Sequence, residues 1–402
     1  MKVLLFANTD WYLYNFRLPL AQSLRARGVD VVLASPPGPY GERLNARGLR
    51  WIAVPLQRRS LGPLCEARLL LWLCRLLRRE RPDLVHGFTI KCAVYASLAA
   101  RLSGVPACIA AITGLGYVFT SDDARARLLR PVVRQLLRCA LSGTRRRLVL
   151  QNADDRALFL QARLVDAAAI RLIPSSGVDL ARFTPAPRRA DATAPLCVLL
   201  AARLLWDKGL AEYAEAARRL RLEGRTIRFL LAGAPDPGNP ASVDVAVIER
   251  WRTDGDIEWF GHVDDVPALL RTVDVAVLPS YREGLPRSLI EAAACGLALV
   301  STDVPGCRDV VRDGVDGLLV PVRDATALAA AIARLDDDRA LLQRLGDAAL
   351  TRVRADYDVE RVNARTLDVY RELLPDFPAD EALPAPAPMP AESWRGVSAQ
   401  PY

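Results

Sequence analysis

The sequence predicts an α/β protein made of two doubly wound parallel sheets. Three observations lead there. Short apolar, β-branched runs alternate with helix-period stretches from end to end, the rhythm of strand–helix–strand units. The chain has 402 residues, 51% of them apolar, enough to bury two cores. A proline-rich break from Pro174 to Pro187, without apolar periodicity, separates two strand-rich halves and reads as a linker. The expected division is a first domain over 1–185, a second over 186–374, and a Pro/Ala-rich tail over 375–402 with no packed element.

In the first half, Lys2–Ala7 reads as a strand, Asn8–Arg17 as the loop after it, and Leu18–Gly28 as the first helix. Strands follow at Val31–Ala34, Trp51–Val54, Leu84–His86 and Ala107–Ala111. Ligands of such sheets gather at the carboxyl ends of the strands. The loops there carry Asn8, Arg17 and Lys91, and the run Thr113-Gly114-Leu115-Gly116-Tyr117. Lys91 can meet a phosphate as a point charge, and the glycines allow close backbone approach. The alternative for Lys91 is an ordinary surface cation, and for His86 a satisfied histidine at a strand end. No glycine-rich dinucleotide fingerprint follows the first strand, which argues against bound NAD.

Charge is divided unevenly. Residues 1–185 hold 28 Lys+Arg against 12 Asp+Glu, a net +16, whereas 186–402 hold 26 against 34, a net −8. This points to an anionic partner for the first half: nucleic acid, an anionic membrane surface or a phosphorylated lipid. Two helices concentrate the basic residues. Leu64–Arg79 reads as a crossover helix covering its sheet. Ala126–Leu141 sets Arg127, Arg130, Arg134 and Arg138 opposite Leu128, Leu129, Val132, Val133, Leu136 and Leu137, the pattern of a helix lying in a membrane interface. Core packing with a solvated arginine face is its alternative. Arg145-Arg146-Arg147 would add to headgroup attraction.

The second half opens with a strand at Leu196–Ala202. Arg203 and Lys208 follow in a loop before a helix near Leu210, where two cations and aligned N–H groups suit a diphosphate. Phe229–Gly233 and Ile257–Trp259 are further strands, and Asp254-Gly255-Asp256 reads as a turn, not a metal motif. Asp274–Leu278 is a buried strand leading through Glu283-Gly284-Leu285-Pro286 into a helix near Arg287, which stops at Gly296. Glu283 therefore lies in a strand-to-helix loop and Glu291 inside the helix, placed to grip one polar ligand from two sides. Helices over 325–350 and 359–374 complete the chain.

Glu283-x7-Glu291 within Glu-Gly-Leu-Pro-x-Ser-Leu-Ile-Glu-Ala resembles the signature of retaining, nucleotide-sugar-dependent glycosyltransferases of family four. Arg203-x4-Lys208-Gly209 and Pro174-x2-Gly177-Val178-Asp179 are similar to other segments of that family, and the likeness covers about residues 1–374. It implies the GT-B fold, two Rossmann-like domains facing across a cleft, with the last helix returning to the first domain. It also implies a UDP-sugar donor, with Arg203 and Lys208 on its diphosphate and Glu283 on the sugar hydroxyls. Glu291 would hold the ribose, Val263 would lie beside the base, and Gly284, Leu285, Pro286 and Ser288 would shape the donor loop. Trp11–Pro19, Leu205–Gly209 and Leu278–Gly284 are similar in particular to bacterial enzymes that add N-acetylgalactosamine or a related sugar to undecaprenyl-diphosphate-linked saccharides. The implied acceptor is then polyprenyl-diphosphate-linked, met on the Asn8, Arg17, Lys91, Gly114 and Gly116 side. The partner of the basic half becomes an anionic membrane surface rather than nucleic acid, with the protein peripheral on the cytoplasmic face. No cofactor and no metal are expected, because cationic side chains do the work of a divalent ion. Where many family members have a glycine pair after the first strand, this chain has Asn8-Thr9-Asp10-Trp11.

Two rival readings are a sugar-nucleotide epimerase of similar shape, which leaves the +16 half unexplained, and a non-catalytic anionic-lipid binder, which leaves Arg203, Lys208, Glu283 and Glu291 without a role. The eight cysteines lack metal-ligand spacing and read as reduced thiols. No apolar run approaches the ~18 residues of a membrane span.

Overall fold

The computed structural model describes residues 1–57, 60, 62–114, 124–186, 194–236 and 239–378, with the backbone alone at 124–127 and 129. Gly116, Pro187, the Arg127 side chain and the tail beyond Pro378 lie outside the described residues.

The first sheet contains β1 (Lys2–Phe6), β2 (Asp30–Ser35), β3 (Arg50–Ala53), β4 (Leu84–Phe88), β5 (Ala107–Ile112), β6 (Arg146–Leu150) and β7 (Ile170–Leu172), in the order β3-β2-β1-β4-β5-β6-β7. The second contains β8 (Leu196–Ala201), β9 (Ile227–Ala232), β10 (Glu258–Trp259), β11 (Val275–Leu278), β12 (Ala298–Thr302) and β13 (Leu318–Val320), in the order β10-β9-β8-β11-β12-β13. Every pairing is parallel. Central strands such as β4, β5, β11 and β12 are buried along their whole length, as sheets covered on both faces by helices require. In both sheets the strand order reverses between the first strand and the fourth, and the site-bearing loops leave the carboxyl ends around that switch.

The linker crosses between the domains and the chain then returns. Val178 forms a parallel bridge with Asp358, and a Cβ on Gly177 (φ +77°) would collide with Val359. From there the helix Val359–Leu373 lays Val362, Leu367, Val369, Tyr370 and Leu373 into the core of the first domain. Phe377 is buried in the same core and meets Tyr370 edge-on at 5.7 Å. The packed chain therefore extends beyond the expected end at 374.

Three other expectations are corrected. Asn8–Arg17 is not a loop: the chain is helical from Asp10, with a π-helical turn over Leu13–Arg17 that runs into the helix Leu18–Ala26. Thr9 caps the start by accepting from the Tyr12 N–H at 3.0 Å. The extra residue of the π turn swings Arg17 inward, where it is 6% exposed. Of the Arg145–Arg147 triad, Arg146 and Arg147 open β6 and are engaged within the fold, while Arg145 stays exposed just before it. Arg146 donates to Ser97 O at 3.0 Å and Arg147 pairs with Glu372 at 3.0 Å. Finally, the amphipathic helix, Ala124–Leu141, contains Pro131 and divides its apolar residues. Leu137, Ala140 and Leu141 are buried, but Leu128, Val132 and Leu136 are 78%, 58% and 40% exposed at four-residue spacing.

Candidate active site

Lys208 and Glu283, 75 residues apart in sequence, form an ion pair between the carboxyl ends of β8 and β11. Lys208 ends a 3-10 turn, Trp206–Lys208, and the following Gly209 sits at φ +73°. A Cβ there would collide with Pro279 O, so glycine is what lets the lysine loop pack on the strand end of β11. The Asp207 carbonyl ties the two loops further, accepting from Tyr281 N at 2.9 Å and from Ser280 Oγ at 2.9 Å. Behind Glu283, burial pushes the Cys307 thiol up to about 12, reinforced by the carboxylate's charge; Cys307 is an inert core group beside the site.

Arg203 stands at the mouth of β8, 59% exposed, with Nη1 2.9 Å from the Asp236 carboxylate. Leu285 and Pro286 are buried and anchor the donor loop, and Ser288 is half-buried in the first turn of the helix Arg287–Ala294. Glu291 accepts from Arg287 Nε at 2.7 Å, and Arg287 also donates to Ser176 Oγ at 3.0 Å. The same guanidinium lies 4.5 Å from the centre of the Phe16 ring in the first domain. Val263 is half-buried beyond β10, against the core that also holds Leu285 and Leu289. Asp254-Gly255-Asp256 is a turn, with Gly255 at φ +77° and Asp256 held by Arg221 at 2.9 Å. Among the described residues no three Asp, Glu, His or Cys side chains converge as a metal site would need.

On the opposite wall, the Arg17 guanidinium lies 4.3 Å from the centre of the Phe88 ring and donates through Nη2 to Tyr12 Oη at 2.9 Å. Among the described residues it has no carboxylate partner, and its buried Nε has no acceptor. His86 Nδ1 is 2.8 Å from Tyr370 Oη, while its Nε2 is also unmatched. The satisfied strand-end histidine expected as the alternative for His86 is therefore met at one ring nitrogen only. Burial first, then the charge of Arg17, holds this imidazole neutral, well below the usual histidine range. Both groups line a cavity of about 10 Å³ with Thr113, Gln151 and Ser175, room for about one water. Asn8 is half-buried at the end of β1, and Gly114 has open space beside it at the end of β5. Lys91 does not serve this wall. Its ammonium is spent on Gln57 O, Ser60 O and Glu66 Oε1 at 2.8, 3.0 and 2.8 Å, which withdraws it from the acceptor side.

Three residues of the site have no counterpart in the sequence reading. Asp10, 4% exposed, accepts from Trp11 N, Tyr40 N and Gly41 N at 2.8, 2.7 and 2.9 Å, and so holds the turn after β2 against the end of β1. Asn152 and Asp155 begin the helix Ala153–Gln161 and reach across to the Glu283 loop. Asn152-Ala-Asp-Asp155 after a strand is a helix-start signal, which could have located the helix but not its partner.

Comparison with known proteins gives the same picture. The family model described as glycosyl transferase 4-like matches residues 2–152, and that described as glycosyl transferases group 1 matches residues 195–338. The N,N'-diacetylbacillosaminyl-diphospho-undecaprenol alpha-1,3-N-acetylgalactosaminyltransferase of Campylobacter jejuni is 27% identical over 384 residues, covering 93% of this chain and 99% of that protein. The UDP-Gal:alpha-D-GlcNAc-diphosphoundecaprenol alpha-1,3-galactosyltransferase of Escherichia coli is 28% identical over 319 residues, 76% of this chain and 79% of that one. Among solved structures, sucrose-phosphate synthase from Thermosynechococcus elongatus superposes with a TM-score of 0.75 at 21% identity, covering 93% of this chain and 99% of that one. Anabaena HepE in complex with UDP-glucose gives 0.74 at 17% identity, covering 93% and 100%. With a family model matched on each half and the whole-chain fold shared with solved structures, the chain belongs to the group 1, family-4-like glycosyltransferases and has their GT-B fold.

Proposed function

We propose that this glycosyltransferase moves a hexose from a UDP-sugar to a polyprenyl-diphosphate-linked saccharide, with retention at the anomeric carbon. The observation that carries the reading is the Lys208–Glu283 pair at the two strand ends, with Arg203 and Glu291 on the same domain. In the transition state, positive charge develops at the anomeric carbon and negative charge on the departing diphosphate. Lys208 and Arg203 stabilise the leaving group where that charge appears, and Glu283 aims the ammonium while holding the sugar hydroxyls. Glu291 takes the ribose hydroxyls. The acceptor hydroxyl forms the new C–O bond on the face the diphosphate leaves, and its proton passes to the departing phosphate oxygen. The bond to UDP breaks, so no separate protein base is required.

The acceptor class is supported by the two undecaprenyl-diphosphate-sugar transferases to which the chain is similar over most of its length. It is supported also by Arg17, a buried cation without a carboxylate partner among the described residues, on the acceptor wall. An unneutralised buried charge is costly, and a phosphate offsets that cost. Membrane contact is peripheral. Among the described residues no helix is long and apolar enough to cross a bilayer. Leu128, Val132 and Leu136 form an exposed apolar stripe on the helix face opposite the exposed Arg134, suited to the cytoplasmic headgroup boundary where such acceptors lie.

A panel of UDP-sugars, assayed in EDTA with a polyprenyl-diphosphate-linked disaccharide, tests the reading. One sugar should be transferred with α-anomeric product and UDP release, undiminished by the chelator. Interconversion of free sugar nucleotides without acceptor would favour an epimerase. Loss in EDTA restored by Mg²⁺ would overturn the metal-independent mechanism.

A further inference from the structure

The loop that carries Glu283 is fastened on both sides by the other domain. One residue before it, Arg282 donates through Nη2 to Asp155 Oδ1 at 2.7 Å. One residue after it, the Gly284 carbonyl accepts from Asn152 Nδ2 at 2.6 Å. Between these ties the loop is gripped by backbone. A Cβ on Gly284 would collide with Thr113 O of the first domain, and one on Gly306 would press on the Glu283 carbonyl from behind.

The direction of the Asn152 tie follows from helix capping. Asn152 Oδ1 accepts from Asp155 N at 2.7 Å, the N-cap bond of the helix Ala153–Gln161. With its oxygen committed to the helix, the amide must turn its NH₂ outward, toward Gly284 O and Asp155 Oδ2, the latter at 3.2 Å. Asp155 is 1% exposed and sits in the first turn, where the helix dipole favours a carboxylate. Its two oxygens are divided between Arg282 and Asn152. A carboxylate buried this deeply carries a desolvation cost that its own helix does not need it to bear. Its partner is the catalytic loop.

We propose that Asn152 and Asp155 are positioning residues that set Glu283 against Lys208, so that the catalytic loop reaches its working geometry only when the acceptor domain is docked on it. Neither touches the donor; each acts through residue 282 or 284. The inference rests on the glycosyltransferase reading above and adds to it a coupling. An acceptor-domain helix governs the rate of sugar transfer without governing UDP affinity, which lies with Arg203, Lys208 and Glu291 in the other domain. Opening the cleft detaches both ties at once and leaves Glu283 unaimed, which restrains donor hydrolysis in the open form.

Two conservative variants test this. Asn152→Asp retains a good N-cap and removes the N–H donor to Gly284 O. Asp155→Asn keeps shape and removes the charge facing Arg282. Each should lower kcat by about tenfold to a hundredfold, the scale of a ~1 Å misplacement of a reacting group, with the KM for UDP-sugar and the calorimetric Kd for UDP within about threefold of wild type. In a cycle of Asp155→Ala and Arg282→Ala, the double variant should be no slower than the slower single one. Unchanged kcat in both conservative variants overturns the proposal, as does a loss confined to KM. If the wild type turns over no UDP-sugar, the functional reading falls instead, and X-ray scattering then decides. Both variants should show a larger radius of gyration than wild type, and an unchanged one overturns the latch.

Discussion

The two domains share one strand order, β3-β2-β1-β4-β5-β6 in the first and β10-β9-β8-β11-β12-β13 in the second, with β7 as an added edge. They use that scaffold in opposite ways. The second gathers its polar groups into pairs at the strand ends, Lys208 with Glu283 and Arg287 with Glu291, and carries a net negative charge. The first holds an excess of 16 positive charges and keeps Arg17 buried without a carboxylate among the described residues. One domain balances these charges among its own side chains. The other leaves cationic character to be answered by something outside the chain. On the proposed reading the same fold serves a nucleotide on one side and an anionic lipid-linked acceptor on the other, and the difference lies in loops and one helix rather than in the sheets.

The sharpest way to break this comparison is at the paired side. Lys208→Ala removes a preorganised cation from the leaving group, and turnover at saturating donor should fall by about 10²–10³. Lys208 lies in a strand-end turn outside the hydrophobic cores, so the fold should survive. Near-normal turnover would remove the donor domain from the chemistry.

How much of this the sequence carries differs between the domains for the same reason. The donor site is legible because strand, turn and helix put Glu283 and Glu291 in one contiguous stretch, and local signals such as Gly296 mark its limits. The acceptor wall is built by tertiary choices that no local pattern declares. The π turn at Leu13–Arg17 rotates Arg17 from an expected loop position into the interior. Asp10 looks like an ordinary polar loop residue until Tyr40 and Gly41 donate to it from 30 residues away. Lys91 follows a strand as a phosphate ligand would, yet its ammonium donates to the carbonyls of Gln57 and Ser60 and to the Glu66 carboxylate. β6 hides beneath Arg145–Arg147 because arginines at a strand start read as surface charge.

The unpaired side is sharpened by the stripe on the helix Ala124–Leu141. Replacing Leu128, Val132 and Leu136 with Ser together should reduce binding to vesicles of acidic phospholipid by roughly tenfold to a hundredfold. Full burial of one such side chain is worth about 1.5–3 kcal/mol, and interfacial insertion recovers part of it. Binding should weaken further as salt rises, because Arg134 and Arg138 keep their charge, although Arg138 also donates to Ala162 O and Arg163 O. Wild-type partitioning by the triple variant would make the stripe ordinary surface.

The smallest effect is expected where the second half of the chain clamps the first. Glu372, on the returning helix, accepts from Arg171 Nε at 2.8 Å and Nη2 at 2.6 Å, a bidentate pair, and from Arg147 Nε at 3.0 Å. Arg171, with Arg147 behind it, holds this carboxyl below the ordinary glutamate value of 4.5. A carboxyl whose folded value is depressed contributes stability that is fully present above its unfolded value and is lost as pH falls through the folded one. The cluster is about a third exposed, so its worth is discounted to about 1 kcal/mol. Glu372→Gln should therefore lower the thermal midpoint slightly and equally at pH 7 and pH 6. The gap from wild type should close as pH drops below 4.5 and Glu372 takes up its proton. A gap that stays constant into that acid range would mean the variant acts through lost packing, and the charge clamp would contribute nothing to docking the helix on the first domain.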